Sequence, residues 1–256
     1  MLRFASLGSG SRGNATLIES SGSRVLLDCG FSTKELEKRL AIANVDPATI
    51  DALVVTHEHA DHIKGAASTA RRYGIELWMS HGTRLSSNIK ANERLNLFHA
   101  DHGSFSIGDI TISPFTVPHD AREPCQYLFS SRQVTLGVLT DTGSVTSHIV
   151  EALTDADALI LECNHDEQML AEGPYPPRLK MRVGGVHGHL SNRQAAALLA
   201  RLDSSRLQRL VAAHLSEKNN APDKAREALL DADPLIESKM SILAQDDVAD
   251  WVEVVS

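Results

Sequence analysis

Apolar positions along the chain fall into short runs, and several of these runs end in a histidine or an acidic residue. Stretches such as Arg24–Asp28, Ala52–Thr56 and Val134–Leu139 are bounded by polar residues and are short enough to predict buried strands. Helical spacing follows some of them, for example at Thr33–Leu40 and Pro222–Asp231. The order of elements predicts two β-rich halves, each finished by helices. We therefore expect an α/β (α+β) chain with two packed sheets and helices outside.

Composition narrows the class of protein. The chain has 256 residues, of which 42% are apolar and 23% charged, so we expect one globular domain over residues 1–256. No apolar stretch approaches the roughly 18 residues that a membrane span needs. The N-terminus reaches Gly8 too soon for a signal-peptide core, and three widely spaced cysteines fit a reducing compartment. These features predict a cytoplasmic protein with no membrane association.

The net charge of −8 excludes a protein that coats nucleic acid indiscriminately. It does not exclude a nuclease, because two divalent cations would add about four positive charges where acidic ligands lie. The densest positive stretch is Arg178–Arg182. Two interpretations of it stay open: a contact with a phosphate backbone, and a solvated strand edge.

The candidate chemistry is concentrated between His57 and His62, where three histidines and one aspartate occupy six residues after an apolar run. Alternate residues of an extended segment point the same way, so His57 and His59 can face one position. Asp61 and His62, where the chain turns into a helix, can face a second position. One metal ion takes three or four protein ligands. Four potential ligands that face two positions, together with ligands from distant parts of the chain, therefore favour two neighbouring metal ions. The alternative is a polar strand end with solvated histidines.

Three later apolar runs also end in potential ligands, at His119, Asp141 and His214. We assign three imidazoles to a first metal ion and two imidazoles with a carboxylate to a second. The first set is His57, His59 and His119, and the second is Asp61, His62 and His214. Asp141 has two oxygens and can bridge both ions. Asp28, after Val25–Leu27, would accept the N–H of a ligand imidazole and fix its tautomer; capping the turn at Gly30 is the alternative.

Taken in order, these residues resemble the signature motifs of the metallo-β-lactamase superfamily: Asp28, His57-x-His59-x-Asp61-His62, His119, Asp141 and His214. The stretch Ser6–Asn14 resembles the start of its nuclease and phosphodiesterase branches. Residues 162–166, 188–192 and 214–220 are similar to the YycJ/WalJ-like branch, which is linked to DNA exonuclease activity. The resemblance implies a four-layer αββα sandwich with a dinuclear site in the cleft between its halves. The branch resemblance makes DNA the expected substrate. The metal identity stays open: imidazole ligands suit Zn²⁺ and Fe, carboxylates tolerate Mn²⁺, and the general order of affinities favours Zn²⁺.

A dinuclear site of this kind provides a metal-bridging hydroxide at neutral pH and offsets charge on a phosphoryl oxygen. Asp61 is placed among the catalytic residues as well as the ligands. The leaving oxygen needs a proton donor, for which His189 is the first candidate and His187 the second; the alternative is that both are turn residues. Predicted substrate contacts are Ser9, Ser11 and Asn14 in the glycine-serine loop, His165, and Ser191 and Asn192, which would cap a helix facing a phosphate.

Several functions share this ligand set. Lactamase branches often have Cys at the position of Asp141, and di-iron oxygen reductases have Glu at the position of His59, so both are disfavoured. Nuclease branches with large inserted domains need more residues than lie between Asp141 and His214. The favoured function is a phosphodiesterase, most specifically a 5′-3′ DNA exonuclease. A thioester hydrolase of glyoxalase II type, a small-molecule phosphodiesterase and a non-catalytic sensor of a phosphorylated ligand stay open, as does the oligomeric state.

Overall fold

Two seven-stranded β-sheets lie face to face in the computed structural model, which describes residues 1–90, 94–100 and 103–255. The first sheet contains β1 (Leu2–Gly8), β2 (Ala15–Glu19), β3 (Arg24–Leu27), β4 (Ala52–Val54), β5 (Glu76–Ser80), β6 (Leu95–Phe98) and β14 (Val252–Val254). The second contains β7 (Phe105–Ile107), β8 (Ile110–Thr116), β9 (Cys125–Ser131), β10 (Val134–Leu139), β11 (Ala158–Glu162), β12 (Arg209–Ala213) and β13 (Met240–Ile242).

Both sheets are mixed, and each combines an antiparallel part with a parallel part. The first runs β14-β1-β2-β3-β4-β5-β6 and is parallel from β3 to β6. The second runs β13-β12-β11-β10-β9-β8-β7 and is parallel from β10 to β13. Ligands of open α/β sheets bind beyond the carboxyl ends of parallel strands. The topology therefore directs attention to the loops that follow these strands.

Some of the described helices cover the outer face of each sheet, and others lie at the edge of the sandwich where the strands end. The helices are α1 (Thr33–Ile42), α2 (Ala60–Ile63), α3 (Ala66–Tyr73), α4 (His81–Ser86), α5 (Ser147–Leu153), α6 (Glu167–Glu172), α7 (Pro177–Val183), α8 (Asn192–Leu199) and α9 (Pro222–Ala232), with 3₁₀ turns at Pro47–Thr49 and Pro234–Lys239. Side chains of α1 and α3 pack on the first sheet, and those of α5, α8 and α9 pack on the second. A third cluster, including Phe4, Tyr127 and Phe129, fills the space between the sheets. In the described part of the chain, no helix has the length and apolar character for a membrane span.

Local chemistry sets the ends of several helices. The side chains of Ser32, Thr146 and Ser191 accept backbone N–H groups at the N-termini of α1, α5 and α8, and Ser191 forms a capping box with Gln194. Gly74 ends α3 with a φ of 69°, a left-handed conformation that glycine adopts without steric cost. These are the residue types that a helix start or stop requires.

The predicted fold class is confirmed: two mixed sheets with helices on both outer faces form the four-layer αββα sandwich. One local interpretation is wrong, because Arg178–Arg182 lies in helix α7 and not on a strand edge. Pro177 occupies the first position of this helix, where its fixed φ favours the helical conformation. The short strand β14 was not predicted; it depends on pairing with β1, which is a contact distant in sequence.

The hydroxyl of Tyr127 provides a test of how the two sheets are joined. Tyr127 is fully buried, and its hydroxyl donates to the carbonyl oxygen of Val55, just beyond β4 of the opposite sheet, at 2.6 Å. We expect Tyr127→Phe to lower the free energy of unfolding by about 1–3 kcal/mol, because the buried carbonyl loses its partner. Urea denaturation followed by circular dichroism measures this change. Tyr73→Phe, which removes a surface hydroxyl bonded to Glu37, should change it by less than about 0.5 kcal/mol. Equal losses in both variants would contradict the prediction.

Candidate metal centre

The carboxyl ends of parallel strands from both sheets meet at one edge of the sandwich. Asp28 follows β3, Asp141 lies two residues after β10, and His214 follows β12. All three have left-handed backbone, with φ of 60°, 51° and 57°. This region is sparsely populated by residues other than glycine and is tolerated where surrounding contacts hold it. Each of these turns places an aspartate or histidine side chain, which can bind a metal ion, just beyond the end of a strand.

Three imidazoles form a first group. One nitrogen each from His57, His59 and His119 lies within 4.8 Å of the others, and His59 Nδ1 is 3.2 Å from His119 Nε2. His119 Nδ1 is 3.0 Å from the carbonyl oxygen of Gly188, an acceptor. The proton of His119 therefore lies on Nδ1, and its Nε2 lone pair faces the other two rings. This is the donor set of a metal site that keeps an open position.

A second group lies beside the first. Ligand atoms of Asp61, His62 and His214 are within 4.8 Å of one another, and Asp61 Oδ2 is 3.6 Å from His62 Nε2 and 3.7 Å from His214 Nε2. Asp141 Oδ2 is 3.1 Å from His62 Nε2. Asp141 also forms a close group with His57 and His62, so it stands between the two sets.

A buried carboxylate at Asp28 orients two of these rings. Its oxygens accept the Thr56 N–H at 2.8 Å, the Thr56 hydroxyl at 3.0 and 3.1 Å and His62 Nδ1 at 2.7 Å. Since the hydroxyl donates to Asp28, its oxygen can accept a hydrogen bond from the N–H of His57 Nδ1, 2.9 Å away. Both Nδ1 atoms are thereby protonated, and both Nε2 atoms are left as metal donors.

Unsatisfied buried atoms mark the place where a cation fits. In the described structure, His57 Nε2, His214 Nε2 and Asp141 Oδ2 are buried and none of them makes a hydrogen bond of good geometry, although Asp141 Oδ2 lies 3.1 Å from His62 Nε2. A buried polar atom without a partner costs about 1–3 kcal/mol, and here such atoms belong to neighbouring groups. A divalent cation would satisfy them together. The residues present therefore suit divalent metal binding.

The electrostatics of the metal-free groups agree with this donor chemistry. Burial opposes the charged form of His214, but Asp141, Asp61 and Glu162 outweigh burial and raise its pKa to about 10. Burial is also outweighed at His62, whose pKa lies well above its usual value because of Asp141 and Asp28. His214 and His62 in turn hold the pKa of Asp141 well below its ordinary value against the effect of burial. Without metal, positive charge on these two rings therefore offsets the negative charge of the neighbouring carboxylates. Bound metal ions would supply that positive charge instead.

Glu162 belongs to the site although the sequence analysis gave it no role. It is fully buried at the end of β11 and accepts from His189 Nδ1 at 2.7 Å, His214 Nδ1 at 3.3 Å and the backbone N–H groups of Thr142 and Leu190. Burial opposes its ionisation, but His189 and His214 prevail and lower its pKa to about 2. The sequence did contain a signal for Glu162, because it ends an apolar run in the same way as the predicted ligands do.

Asp120 is a second residue of this kind. Its Oδ1 is 3.5 Å from His119 Nε2 and 3.6 Å from His59 Nε2, and its Oδ2 accepts from Arg182 Nε at 2.6 Å. Asp120 directly follows a predicted ligand, which was the signal in the sequence. It connects the first imidazole group to helix α7.

The structure separates the two candidate proton donors. His189 lines the cleft over the metal-ligating groups, which has a volume of about 370 Å³, and its side chain is 21% exposed. Burial opposes its charge, but Glu162 and Asp141 raise its pKa. The His187 side chain is exposed and does not line this cleft.

The predicted substrate contacts divide in the same way. Ser11 is exposed and lines the cleft. Ser9 and Asn14 are buried and act within the protein: Ser9 Oγ accepts the His214 N–H at 2.8 Å, and Asn14 accepts the Gly10 N–H at 2.7 Å. The side-chain nitrogen of Asn14 is also 3.3 Å from the Asp61 carbonyl oxygen. Both residues hold the glycine-serine loop against the metal-ligating turns.

The other three predicted contacts are buried away from the cleft surface. Ser191 caps α8, Asn192 exchanges hydrogen bonds with Asn220, and His165 is 2% exposed. At the N-terminus of α8, the capping box uses the N–H groups of Ser191 and Gln194, and the Asn192 N–H donates to the His165 carbonyl oxygen, so these three groups already have partners within the protein. Burial of these side chains depends on tertiary packing that local sequence does not reveal.

Comparison with known proteins places this geometry in context. Residues 23–215 match a family model described as a β-lactamase superfamily domain. The chain is 35% identical to exodeoxyribonuclease WalJ of Streptococcus pneumoniae over 87% of its own length and 85% of the relative's. It is 34% identical to exodeoxyribonuclease YycJ of Bacillus anthracis, over 88% of this chain and 86% of that one.

Solved structures share the fold at low sequence identity. The metallo-β-lactamase fold protein YhfI of Bacillus subtilis superposes with a TM-score of 0.72 at 17% identity, covering 99% of this chain and 100% of that one. The short form of human tRNase Z gives a TM-score of 0.67 at 19% identity, with coverage of 99% and 100%. These TM-scores show that the proteins share a fold.

The raised pKa values of His62 and His214 predict proton release on metal binding. The pKa of His214 is raised to about 10 and that of His62 lies well above its ordinary value, whereas a ligand imidazole must be neutral, so Zn²⁺ binding at pH 7 should release at least about one proton per chain. For the same reason, metal affinity should weaken as the pH falls. A pH indicator in weakly buffered solution measures the release during a Zn²⁺ titration. His148→Gln, which changes an exposed ring on α5, should leave the proton count unchanged. Metal binding at pH 7 without proton release would refute the prediction.

Proposed function

The chain belongs to the metallo-β-lactamase superfamily, and on this basis we propose that it is a dinuclear metal-dependent exodeoxyribonuclease. The observation that carries the proposal is the convergence of two adjacent ligand groups, with Asp141 between them, on the floor of one open cleft. Enzymes of the superfamily whose names specify DNA cleavage match this chain over most of both lengths.

Seven side chains would hold the metal ions. His57, His59 and His119 would bind the first ion, Asp61, His62 and His214 the second, and Asp141 would bridge them. The imidazole-rich set favours Zn²⁺, and the carboxylates also admit Mn²⁺ or Fe. Two bound divalent ions would supply a water of lowered pKa and positive charge beside the phosphate.

The carboxylates make a charge argument for a phosphodiester substrate. Asp61, Asp120 and Asp141 line the cleft and would repel a DNA strand if nothing balanced them. Divalent cations bound among these carboxylates would offset their charge. The same cations would neutralise the negative charge of a phosphate before attack. The reacting group of a phosphodiester carries a negative charge, whereas a thioester carbonyl does not; because thioester hydrolases share the seven proposed ligands, the substrate panel below separates the two.

His189 is the residue that we assign as proton donor. Glu162 holds its Nδ1, so the second ring nitrogen is left for the substrate, and the neighbouring carboxylates favour the protonated ring. A histidine placed in this way can give its proton to the leaving alkoxide. His187 is not retained as an alternative, because its side chain does not line the cleft.

The general-acid assignment predicts that His189→Ala binds its metal ions and loses most turnover. Loss of a general acid lowers kcat by about 10²–10⁴-fold. Metal content by atomic absorption and kcat on labelled DNA should be measured on the same sample, with His148→Ala as the control. A variant with near wild-type kcat would rule out this role for His189.

Substrate class is tested by a panel given to the wild-type enzyme loaded with Zn²⁺ or Mn²⁺. The panel contains 5′- and 3′-labelled single- and double-stranded DNA and RNA, bis-p-nitrophenyl phosphate and S-lactoylglutathione. We expect stepwise shortening of DNA from one end and slower turnover of the other compounds. Faster turnover of S-lactoylglutathione would favour the thioester hydrolase. Metal binding without turnover of any compound would favour the sensor.

A further inference from the structure

One wall of the cleft is formed by residues that belong to neither ligand group. Tyr175 and the inward side of α7, with Leu179, Arg182 and Val183, line the cleft opposite the strand ends. Leu179 and Val183 are four residues apart and share one face of the helix with Arg182. A charged side chain therefore lies on an otherwise apolar wall, directly beside the candidate metal groups.

Arg182 is held in place by one of its nitrogens only. Its Nε donates to Asp120, and the side chain remains 58% exposed. Within the described residues, its two terminal nitrogens make no hydrogen bond. A guanidinium with both terminal nitrogens available matches two oxygens of a phosphate. Asp120 in turn lies beside His59 and His119, which fixes the guanidinium next to the first imidazole group.

The charge of Arg182 differs from that of the other side chains in the cleft. Among the described residues that line the cleft, Arg182 is the one that carries a permanent positive charge, while several carboxylates lie near it. The ion pair with Asp120 accounts for one nitrogen of Arg182, and the rest of the guanidinium is exposed at the cleft surface. A negatively charged group bound next to the reacting phosphate would meet this cation.

Tyr175 adds an aromatic surface to the same wall. It is half-buried, lines the cleft, and has the Lys218 ammonium 6.0 Å from its ring centroid. In the part of the chain that the structure describes, its hydroxyl makes no hydrogen bond. A cation with a nearby aromatic ring is the combination with which proteins bind single-stranded nucleic acid, through backbone and base.

We propose that Arg182 and Tyr175 form a nucleotide subsite: Arg182 binds the phosphate adjoining the scissile one, and Tyr175 stacks on a base of the same strand. The proposal rests on the exodeoxyribonuclease function and specifies how the strand is held. It assigns to α7 a role in substrate binding, with Asp120 as the residue that positions Arg182.

The first test uses Arg182→Gln with two substrates. An oligodeoxynucleotide has a neighbouring phosphate and bis-p-nitrophenyl phosphate has none, so KM for the oligodeoxynucleotide should rise about tenfold while bis-p-nitrophenyl phosphate turnover stays within about twofold. The slope of log(kcat/KM) against log[salt] should become shallower by about one. Arg201→Gln, at an exposed position after α8, is the matched loss of charge and should change neither quantity.

Arg182→Lys tests the planar fork while keeping the charge. It should raise KM for the oligodeoxynucleotide about threefold, because an ammonium cannot bind a phosphate through two parallel hydrogen bonds. Equal losses on both substrates in either Arg182 variant would show that Arg182 acts through Asp120 on the metal groups, and would overturn the subsite.

The second test couples Tyr175 to the base. Tyr175→Ala should weaken use of the oligodeoxynucleotide about tenfold, and Tyr175→Phe should retain wild-type values, because stacking needs the ring and not the hydroxyl. DNA with abasic sites near its ends should be a poorer substrate for wild type, and Tyr175→Ala should not distinguish it from normal DNA. Equal sensitivity of both enzymes to base removal would refute the stacking role. If wild type hydrolyses bis-p-nitrophenyl phosphate but no DNA, the exodeoxyribonuclease proposal itself fails.

Discussion

The hydrogen bonds of Asp28 are the constraint on which the candidate site depends. A carboxylate that is almost fully buried is stable only with its hydrogen bonds made, and here the donors are the Thr56 backbone, the Thr56 hydroxyl and His62. The same contacts fix the direction of His62 and, through Thr56, of His57. Burial raises the pKa of Asp28, and the nearby His62 ring opposes that rise. The anchor and the metal-ligating group therefore stabilise each other.

Close backbone packing completes this arrangement. A Cβ at Gly30 would lie 1.7 Å from the carbonyl oxygen of Asp61, and one at Gly143 would lie 2.4 Å from the Gly188 nitrogen. These two glycines allow the ligand-bearing loops to approach one another across the edge of the sandwich. The close contact between Gly143 and Gly188 also holds the Gly188 carbonyl oxygen where it accepts a hydrogen bond from His119. Metal-ligating side chains, outer hydrogen bonds and glycine contacts thus form one connected structure.

Much of this could be predicted from sequence because the signals are local. Apolar runs predicted the strands and two packed sheets with helices outside, and the family resemblance implied the αββα class. A histidine or aspartate after a strand predicted positions that the fold does bring together, such as His57, His119 and Asp141. Glu162 had the same signal, but its importance depends on His189 and His214, which are far away in sequence. Arg182 was noticed only as part of a charged stretch, because its neighbour Asp120 is a tertiary contact. His165, Ser191 and Asn192, which were predicted as substrate contacts, are buried for the same reason: packing, not local pattern, decides which polar side chains face a cleft.

The left-handed turns at Asp28, Asp141 and His214 have a consequence for protein engineering. Grafting the seven proposed ligands onto another sheet by matching side-chain positions would omit the backbone geometry that orients two of them, Asp141 and His214, and the supporting Asp28. The receiving scaffold would have to supply tight chain reversals at those points, with flanking contacts strong enough to hold them. A successful transfer therefore has to include the turns as well as their side chains. The sequence motifs specify the side chains but not the backbone conformation of the turns.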